Sequence, residues 1–456
     1  MIIRPISLAS DSVTKAKPCI GKSFEQIDET TYKIEIFDNV YDSKGNHITA
    51  DDVLYSYNTG IGKGNLVTVV GTFGGIEKVD DYHVILKTNG TSIGNLESIV
   101  GEVYIVSEKE YEADPDDMAN IPVGTGPYIL KEFVPGSTID LEKNPNYWQS
   151  DDLRQQWQQA NVDEIIFKMI TETAQLTVAL QTGEVDLVPQ LAQSEMAYFD
   201  GVDGYHVFSK DSSMAQVLMF NCVEGSLFSD PVLRQAICYA IDKSAVLDAA
   251  FDGIGGVCHA FGTPIYGDYL TKWDSEEYYD YNPDKAKELL SNAGYDEGEF
   301  SFRLMTDNVP YHLRMAQVIV ASLNEAGIKA EILPYDSNLF GNYRYDPSQF
   351  DALITFYASG DYIINVWRYS MDANFYGGGT SNFYVDDHFQ ELLSAAAEAS
   401  THSEDTIDAF AQYLKETAIA EGLCYGKTHY AYNDKIDTLF IDVKESVYPG
   451  ACTYTK

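Results

Sequence analysis

The sequence predicts an α/β protein with a β-rich first third, and three observations carry that reading. The chain has 456 residues, enough for two or three domains at about 100–200 residues each. Residues 1–161 hold mainly alternating, strand-type segments. From residue 162 onward, strand-type runs alternate with capped helical segments, the pattern of layered α/β folds.

Taken in order, Thr31–Phe37 alternates apolar and polar residues as a half-buried strand does, and Asp42–Asn46 is a turn. Thr49 precedes Ala50, Asp51 and Asp52 and the apolar series Val53, Leu54, Tyr57. That predicts a helix capped by Thr49, with acids in the first turn where the helix dipole favours them. Tyr82–Leu86 is another strand, and Gly124-Thr125-Gly126-Pro127 turns into the strand Tyr128–Glu132, with Thr138–Leu141 as its antiparallel return. Strand Asp163–Ile170, helix Thr173–Thr182 and strand Val185–Val188 form a strand–helix–strand unit, the building block of a parallel sheet. After the strand Leu218–Asn221, Asp230 as cap and Pro231 at the first helical position open a helix with the stripe Val232, Leu233, Ala236, Ile237, Ala240, Ile241. Cys238 lies on its apolar face, as a small buried hydrophobe does. Asn282-Pro283 opens a further helix that Gly294 stops; Pro310–Ala326 is helical, with Gly327 and the strand Ile328–Leu333 after it. Phe350–Phe356 reads as a strand, Phe389–Ala397 and Asp405–Glu421 as helices.

Composition excludes several classes. Against 30 Lys+Arg stand 70 Asp+Glu, a formal net charge of −40. Affinity for phosphate backbones comes from clustered Lys and Arg, so nucleic acid is not a partner, and attachment to anionic lipid is disfavoured for the same reason. No apolar run approaches the ~20 residues of a membrane-spanning helix. Six cysteines (Cys19, Cys222, Cys238, Cys258, Cys424, Cys452) without a C-x-x-C pair exclude a zinc ribbon or a thioredoxin motif. The 33 Tyr and 21 Phe suit surfaces that hold amphipathic ligands, and equally ordinary core packing. Met1–Ser10 lacks the basic-then-apolar signature of a secretory signal.

No catalytic set emerges. Gly90-Thr91-Ser92-Ile93-Gly94 matches a hydrolase G-x-S-x-G elbow. It sits among antiparallel strands before a weak helix, Asn95–Val100, and so short a match arises readily by chance, which leaves a secreted serine hydrolase using Ser92 as the reading of another class. The eight His residues are dispersed, and neither Cys258-His259 nor Asp386-Asp387-His388 has the spacing of a metal site. No metal and no cofactor is expected, and binding is favoured over catalysis.

Five motifs in chain order carry a resemblance. Asp42-Ser43-Lys44-Gly45-Asn46-His47-Ile48-Thr49-Ala50-Asp51-Asp52-Val53 comes first, then Gly124-Thr125-Gly126-Pro127-Tyr128 with Asn144-Pro145-Asn146-Tyr147-Trp148. Gly183-Glu184-Val185-Asp186 follows, then Asp230-Pro231-Val232-Leu233-Arg234-Gln235-Ala236 through Ala240-Ile241-Asp242-Lys243, and Tyr281-Asn282-Pro283-Asp284-Lys285-Ala286 with Ala293-Gly294-Tyr295. Over nearly the whole chain these resemble the oligopeptide/dipeptide/nickel-binding family of ABC-importer solute-binding proteins, extracellular family 5. The resemblance implies a two-lobed periplasmic-binding-protein-like fold with a hinge and an extra β-rich domain inserted in the first lobe. On that pattern 1–161 is the insert with a remnant of lobe one, 162–262 lobe one, 263–435 lobe two, and 436–456 the return to lobe one.

The resemblance also implies function. Such a protein captures a solute, most simply a short peptide, between closing lobes and delivers it to membrane permease subunits, as a monomer outside the cytoplasm, periplasmic or as a cell-surface lipoprotein. A nickel chelate, an opine or a sugar is the alternative ligand, and a non-transport peptide sensor the alternative role. Family members carry a signal peptide and a first stretch of lobe one ahead of the insert, so native residues are expected upstream of Met1. In peptide binders an aromatic residue and an Asp follow the lobe-two strand and the Asp meets the ligand's ammonium. Here Tyr357 matches the aromatic position and Asp361 is the nearest carboxylate; it either holds the ammonium or caps the helix running through Val366. Phe220 and Asn221 match the hinge crossover and Asn382 a downstream Asn before Tyr384, each structural or ligand-contacting.

Overall fold

The computed structural model describes residues 9–10, 17–63, 66, 69–114, 116, 118–119, 121–276, 278–358, 362–372, 381–442 and 445–455. The chain divides into two compact units, Met1–Phe208 with His429–Lys456, and Ser209–Thr428.

In the first unit, β1 (Ala9–Ser10) pairs with β2 (Lys17–Pro18). Next come β3 (Gly21–Asp28), β4 (Thr31–Ile36), α1 (Ala50–Gly60), β5 (Phe73–Asp80) and β6 (His83–Thr88), whose strands form an antiparallel sheet in the order β3-β4-β6-β5. Alternation puts Ile34, Ile36, Val84 and Leu86 on one face, where they bury against Val53 and Tyr57 of α1 and Ile99 and Val100 of α2 (Asn95–Glu102). The expected cap of α1 is present as a reciprocal pair: the Asp51 N–H donates to the Thr49 hydroxyl at 3.3 Å, and the Thr49 N–H donates to the Asp52 carboxylate at 2.9 Å. Such a box is worth about 1 kcal/mol to the helix start. After α3 (Glu108–Ala113), β7 (Tyr128–Val134), β8 (Thr138–Lys143) and β9 (Glu164–Lys168) run as an antiparallel meander.

One expectation is corrected here. Helix α4 (Thr173–Gln181) does join β9 to β10 (Leu187–Pro189), but the two strands do not share a parallel sheet. β9 pairs antiparallel with β8, and β10 pairs antiparallel with β18 (Lys427–Asn433), from the other end of the chain. Sheet partners at that separation leave no local trace in the sequence. β18 also flanks β11 (Tyr205–Asp211) in the three-stranded sheet β10-β18-β11.

The second unit runs through β12 (Ala215–Phe220), α5 (Pro231–Tyr239), α6 (Lys243–Phe251), β13 (Gly256–Val257), α7 (Pro283–Asn292), β14 (Ser301–Asp307), α8 (Pro310–Glu325) and β15 (Lys329–Tyr335). It continues with α9 (Ser337–Tyr343), β16 (Ala352–Tyr357), α10 (Ile363–Met371), α11 (Asp387–Ala397), α12 (Glu404–Thr417) and β17 (Ala420–Tyr425). Its sheet has the order β13-β17-β12-β16-β14-β15, with β14 parallel to β15 and β16, and β12 antiparallel to β16 and β17. All six residues of β12 are buried, as a central strand requires. The short pair β19 (Ile436–Thr438) and β20 (Thr453–Tyr454) closes the chain in the first unit.

The unit boundaries fall at 208–209 and 428–429. The reason is β12: it lies between β16 and β17, so the stretch around it belongs with the second unit's sheet. A second difference concerns α12, read as running to Glu421. It stops at Thr417, where Ala418 turns left-handed (φ +49°), and Ala420–Tyr425 is a central-region strand. Helix starts fare better: the Asp230 carboxylate accepts the Val232 N–H at 2.8 Å, the Asn282 side chain accepts the Lys285 N–H at 3.0 Å, and Cys238 is fully buried.

Candidate functional site

In open α/β sheets, ligands bind outside the carboxyl ends of the parallel strands. In the second unit those ends are Asp307 on β14, Tyr335 on β15 and Tyr357 on β16. The edge is held rigid by a buried polar relay. The Asp307 carboxylate lies 2.7 Å from His312 Nδ1 and accepts the Val309 N–H at 3.1 Å, while His312 Nε2 lies 2.8 Å from Gln216 Oε1 on β12. The His312 ring stacks 6.2 Å from Phe356, itself partly exposed. One helix start and two strands are thereby fixed to each other.

Tyr357 is half-buried beside this relay. Its ring meets Phe261 at 6.1 Å, and its hydroxyl accepts a hydrogen bond from Arg344, the residue that ends α9. Arg344 Nε donates to Ser381 Oγ at 3.1 Å, and its guanidinium carbon sits 5.2 Å from the ring centroids of both Tyr357 and Tyr345. Phe261 is anchored in turn, because its carbonyl accepts the Trp367 indole N–H from α10. Gly262 makes this possible: at φ +154° it lets the backbone approach Ile363 so closely that a Cβ would lie 2.6 Å from Ile363 Cδ1.

The five residues singled out by sequence are not one cluster. Tyr357 lies at the strand end just described. Phe220 and Asn221 lie at the other end of β12: Ala215 pairs with Tyr357 and Phe220 with Ala352, and five residues span about 17 Å of strand. Phe220 is fully buried, its ring 4.9 Å from that of Phe228, and the Asn221 amide donates to the carbonyls of Pro347 (2.8 Å) and Phe350 (3.1 Å). Asn382 is also buried; its backbone carbonyl accepts the Cys222 N–H at 2.8 Å and its side-chain oxygen the Tyr384 N–H at 3.2 Å. Asp361 lies outside the described residues. The N–H groups of Ile363 and Ile364 at the start of α10 are taken by Asp268, a carboxylate about a hundred residues upstream, at 2.5 and 3.2 Å. Burial pushes the Asp268 pKa up, those two N–H bonds opposing it.

Sequence reasoning missed Arg344 and Asp268. Neither lies in a motif, and the groups that Arg344 meets come from separate stretches of chain. Ser92, the other candidate, is buried on the turn between β6, in the antiparallel sheet, and α2. Among the described residues, no group of three or more His, Cys, Asp or Glu could hold a metal, and no helix is long and apolar enough to cross a membrane.

The α/β fold of these units is that of the two-lobed periplasmic binding proteins. Over 99–100% of the chain it superimposes on the oligopeptide-binding protein AppA of Bacillus subtilis in complex with a nonapeptide (TM-score 0.78, 20% identity, 93% of that chain). It also superimposes on NikA of Staphylococcus aureus in complex with Ni(L-His)2 (TM-score 0.75, 18% identity, 94% of that chain). The model of the bacterial extracellular solute-binding proteins, family 5, matches residues 15–389, and the chain belongs to that family. A dipeptide-binding protein of Pseudomonas aeruginosa is 24% identical over 428 residues, covering 85% of this chain and 76% of that one.

Proposed function

We propose that this chain is the extracytoplasmic solute-binding receptor of an ABC importer and that its solute is a short peptide. The family match over residues 15–389, with relatives named for dipeptides and oligopeptides, is the observation that carries this reading. The physical fit is an aromatic strand end, Tyr357 with Phe261, beside fixed hydrogen-bonding groups. An extended peptide would bond through its main chain while roomy pockets take its side chains. Capture would proceed by lobe closure, and the closed form would be what permease subunits read. No covalent step is required of such a receptor. The net charge of −40 favours cationic ligands at short range, screened beyond about 8–10 Å at physiological salt. A nickel chelate is the second reading, favoured by the 24% identity to the nickel-binding protein NikA of Staphylococcus aureus over 432 residues.

Thermal unfolding separates the two. A ligand at about 100 times its Kd adds about 2.7 kcal/mol to stability. A mixture of di- to nonapeptides is expected to raise the melting midpoint, and nickel with excess histidine to leave it unchanged. The reverse pattern would replace the peptide by the chelate.

A further inference from the structure

Two ion pairs of the second unit share one cavity. Lys243 at the start of α6 holds Glu421 of β17, and Lys415 of α12 reaches Glu276 at 3.4 Å. These four side chains, with His259 and Tyr278, line a space of about 30 Å3. Lys415 is the unusual member. Its side chain is 8% exposed, yet its ammonium has a single hydrogen-bond partner among the described residues, the Glu276 carboxylate. That carboxylate also accepts the Gln412 amide at 3.0 Å, and the Tyr278 ring centroid lies 5.9 Å from the Lys415 nitrogen. An ammonium carries three N–H donors, and a buried charge short of partners is costly.

The lining is over-supplied with donors. Two remain on Lys415, and Lys243 keeps one after Glu421 and the Cys258 carbonyl have taken the others. Neither the His259 ring nor the Tyr278 hydroxyl makes a hydrogen bond among the described residues, and each has a proton to give. Against these stand one unshared oxygen of Glu421 and one of Glu276, the latter on a side chain 37% exposed to solvent. Two ammonium groups balance two carboxylates, so the guest is chosen by hydrogen-bonding direction rather than by net charge. A cavity holds a water from about 10–15 Å3 upward, so this one takes about two waters or one small ion. Each water would bring further donors; a small anion brings only acceptors.

We propose that this cavity binds a small monovalent anion, chloride being the probe, held by Lys415 with Lys243, His259 and Tyr278. The proposal goes beyond the peptide reading and does not depend on it, because every one of these residues belongs to the unit Ser209–Thr428. The anion ties α12 to α6 and to the segments that carry His259 and Tyr278, so occupancy adds to the stability of that unit. With a net charge of −40 the outer surface repels anions, and a specific chloride effect stands out against a weak background.

Thermal unfolding of the purified chain in sodium chloride and in sodium gluconate, at equal ionic strength and without added solute, tests the site. Chloride at about ten times its Kd is expected to raise the melting midpoint of a unit of this size by about 3–6 °C over gluconate, an anion too large for the cavity, and the gain is expected to saturate. K415M is expected to lose that gain, and Y278F to move its half-saturation several-fold higher in chloride. Crystals grown in sodium bromide are expected to show an anomalous peak in the cavity beside Lys415 Nζ. Equal midpoints in the two salts, a gain that survives K415M, or bromide-grown crystals with water alone in the cavity overturns the assignment and leaves the peptide reading untouched. Circular dichroism checks the fold of K415M; H259A and Y278F carry the comparison if it fails.

Discussion

Arg234→Ala is expected to destabilise the unit spanning Ser209–Thr428 by about 4 kcal/mol, among the largest single-residue effects the fold offers. Arg234 is 2% exposed. Its Nε and Nη2 donate to the Thr417 carbonyl at 2.9 and 2.7 Å, and its Nη1 donates to the carbonyls of Phe228 (2.7 Å) and Ser229 (3.2 Å). The last carbonyls of a helix have no partner within it, so Arg234 supplies the C-terminus of α12 with donors while tying it to the turn before α5. Removing the guanidinium orphans three carbonyls, each at about 1–3 kcal/mol less what relaxation and water recover, and opens a cavity. Arg234→Lys is expected to regain less than half, because a compact ammonium cannot span both sides as the planar fork does. Urea unfolding followed by circular dichroism reads both. A midpoint for Arg234→Ala within error of wild type would contradict this account of the α5–α12 junction.

The second large effect belongs to a buried ion pair. Lys243, at the start of α6, holds the Glu421 carboxylate of β17 and donates to the Cys258 carbonyl at 3.1 Å; the paired side chains are 13% and 10% exposed. Burial pulls the Lys243 pKa down, but the charge and hydrogen bond of Glu421 outweigh it, and the net shift is upward. Removing one partner leaves an uncompensated buried charge. Glu421→Gln is therefore expected to cost about 3 kcal/mol, and the double change Lys243→Met with Glu421→Leu to lie closer to wild type than the single one. The sign of the pH dependence follows from the raised value. Lys243 contributes its stability at every pH below its unfolded value, and that contribution is lost as pH rises through the higher folded value, above 10.5. Wild type is expected to lose stability there faster than the double variant. Parallel curves in the alkaline range would contradict it.

What the sequence made legible was local chemistry. Thr49, Asp230 and Asn282 were readable as caps because a cap needs only a short polar side chain and the N–H groups two or three residues on. The family itself was readable because its motifs are such local turns and helix starts, and the match over residues 15–389 bears that reading out. Sheet order was not. β9 and β10 flank a helix as a parallel unit would, yet their partners, β8 and β18, are set by packing far along the chain. The end of α12 was invisible because Ala418 takes the left-handed turn that a glycine normally signals. At the candidate site, Tyr357 was singled out from the family pattern, and it lies at the end of β16. Arg344 was not, because nothing near it in sequence reveals that Tyr357 and Ser381 meet its guanidinium. Asp268 was hidden for the same reason: it caps a helix that starts 95 residues later.

The central claim is that this chain carries peptides, and native mass spectrometry of the freshly purified protein tests it most directly. The complex would be transferred intact, its mass compared with that of the bare chain, and the released species identified after denaturation. The account predicts a heterogeneous set of short peptides bound one per chain. A single non-peptide mass, the same in every preparation, would contradict it.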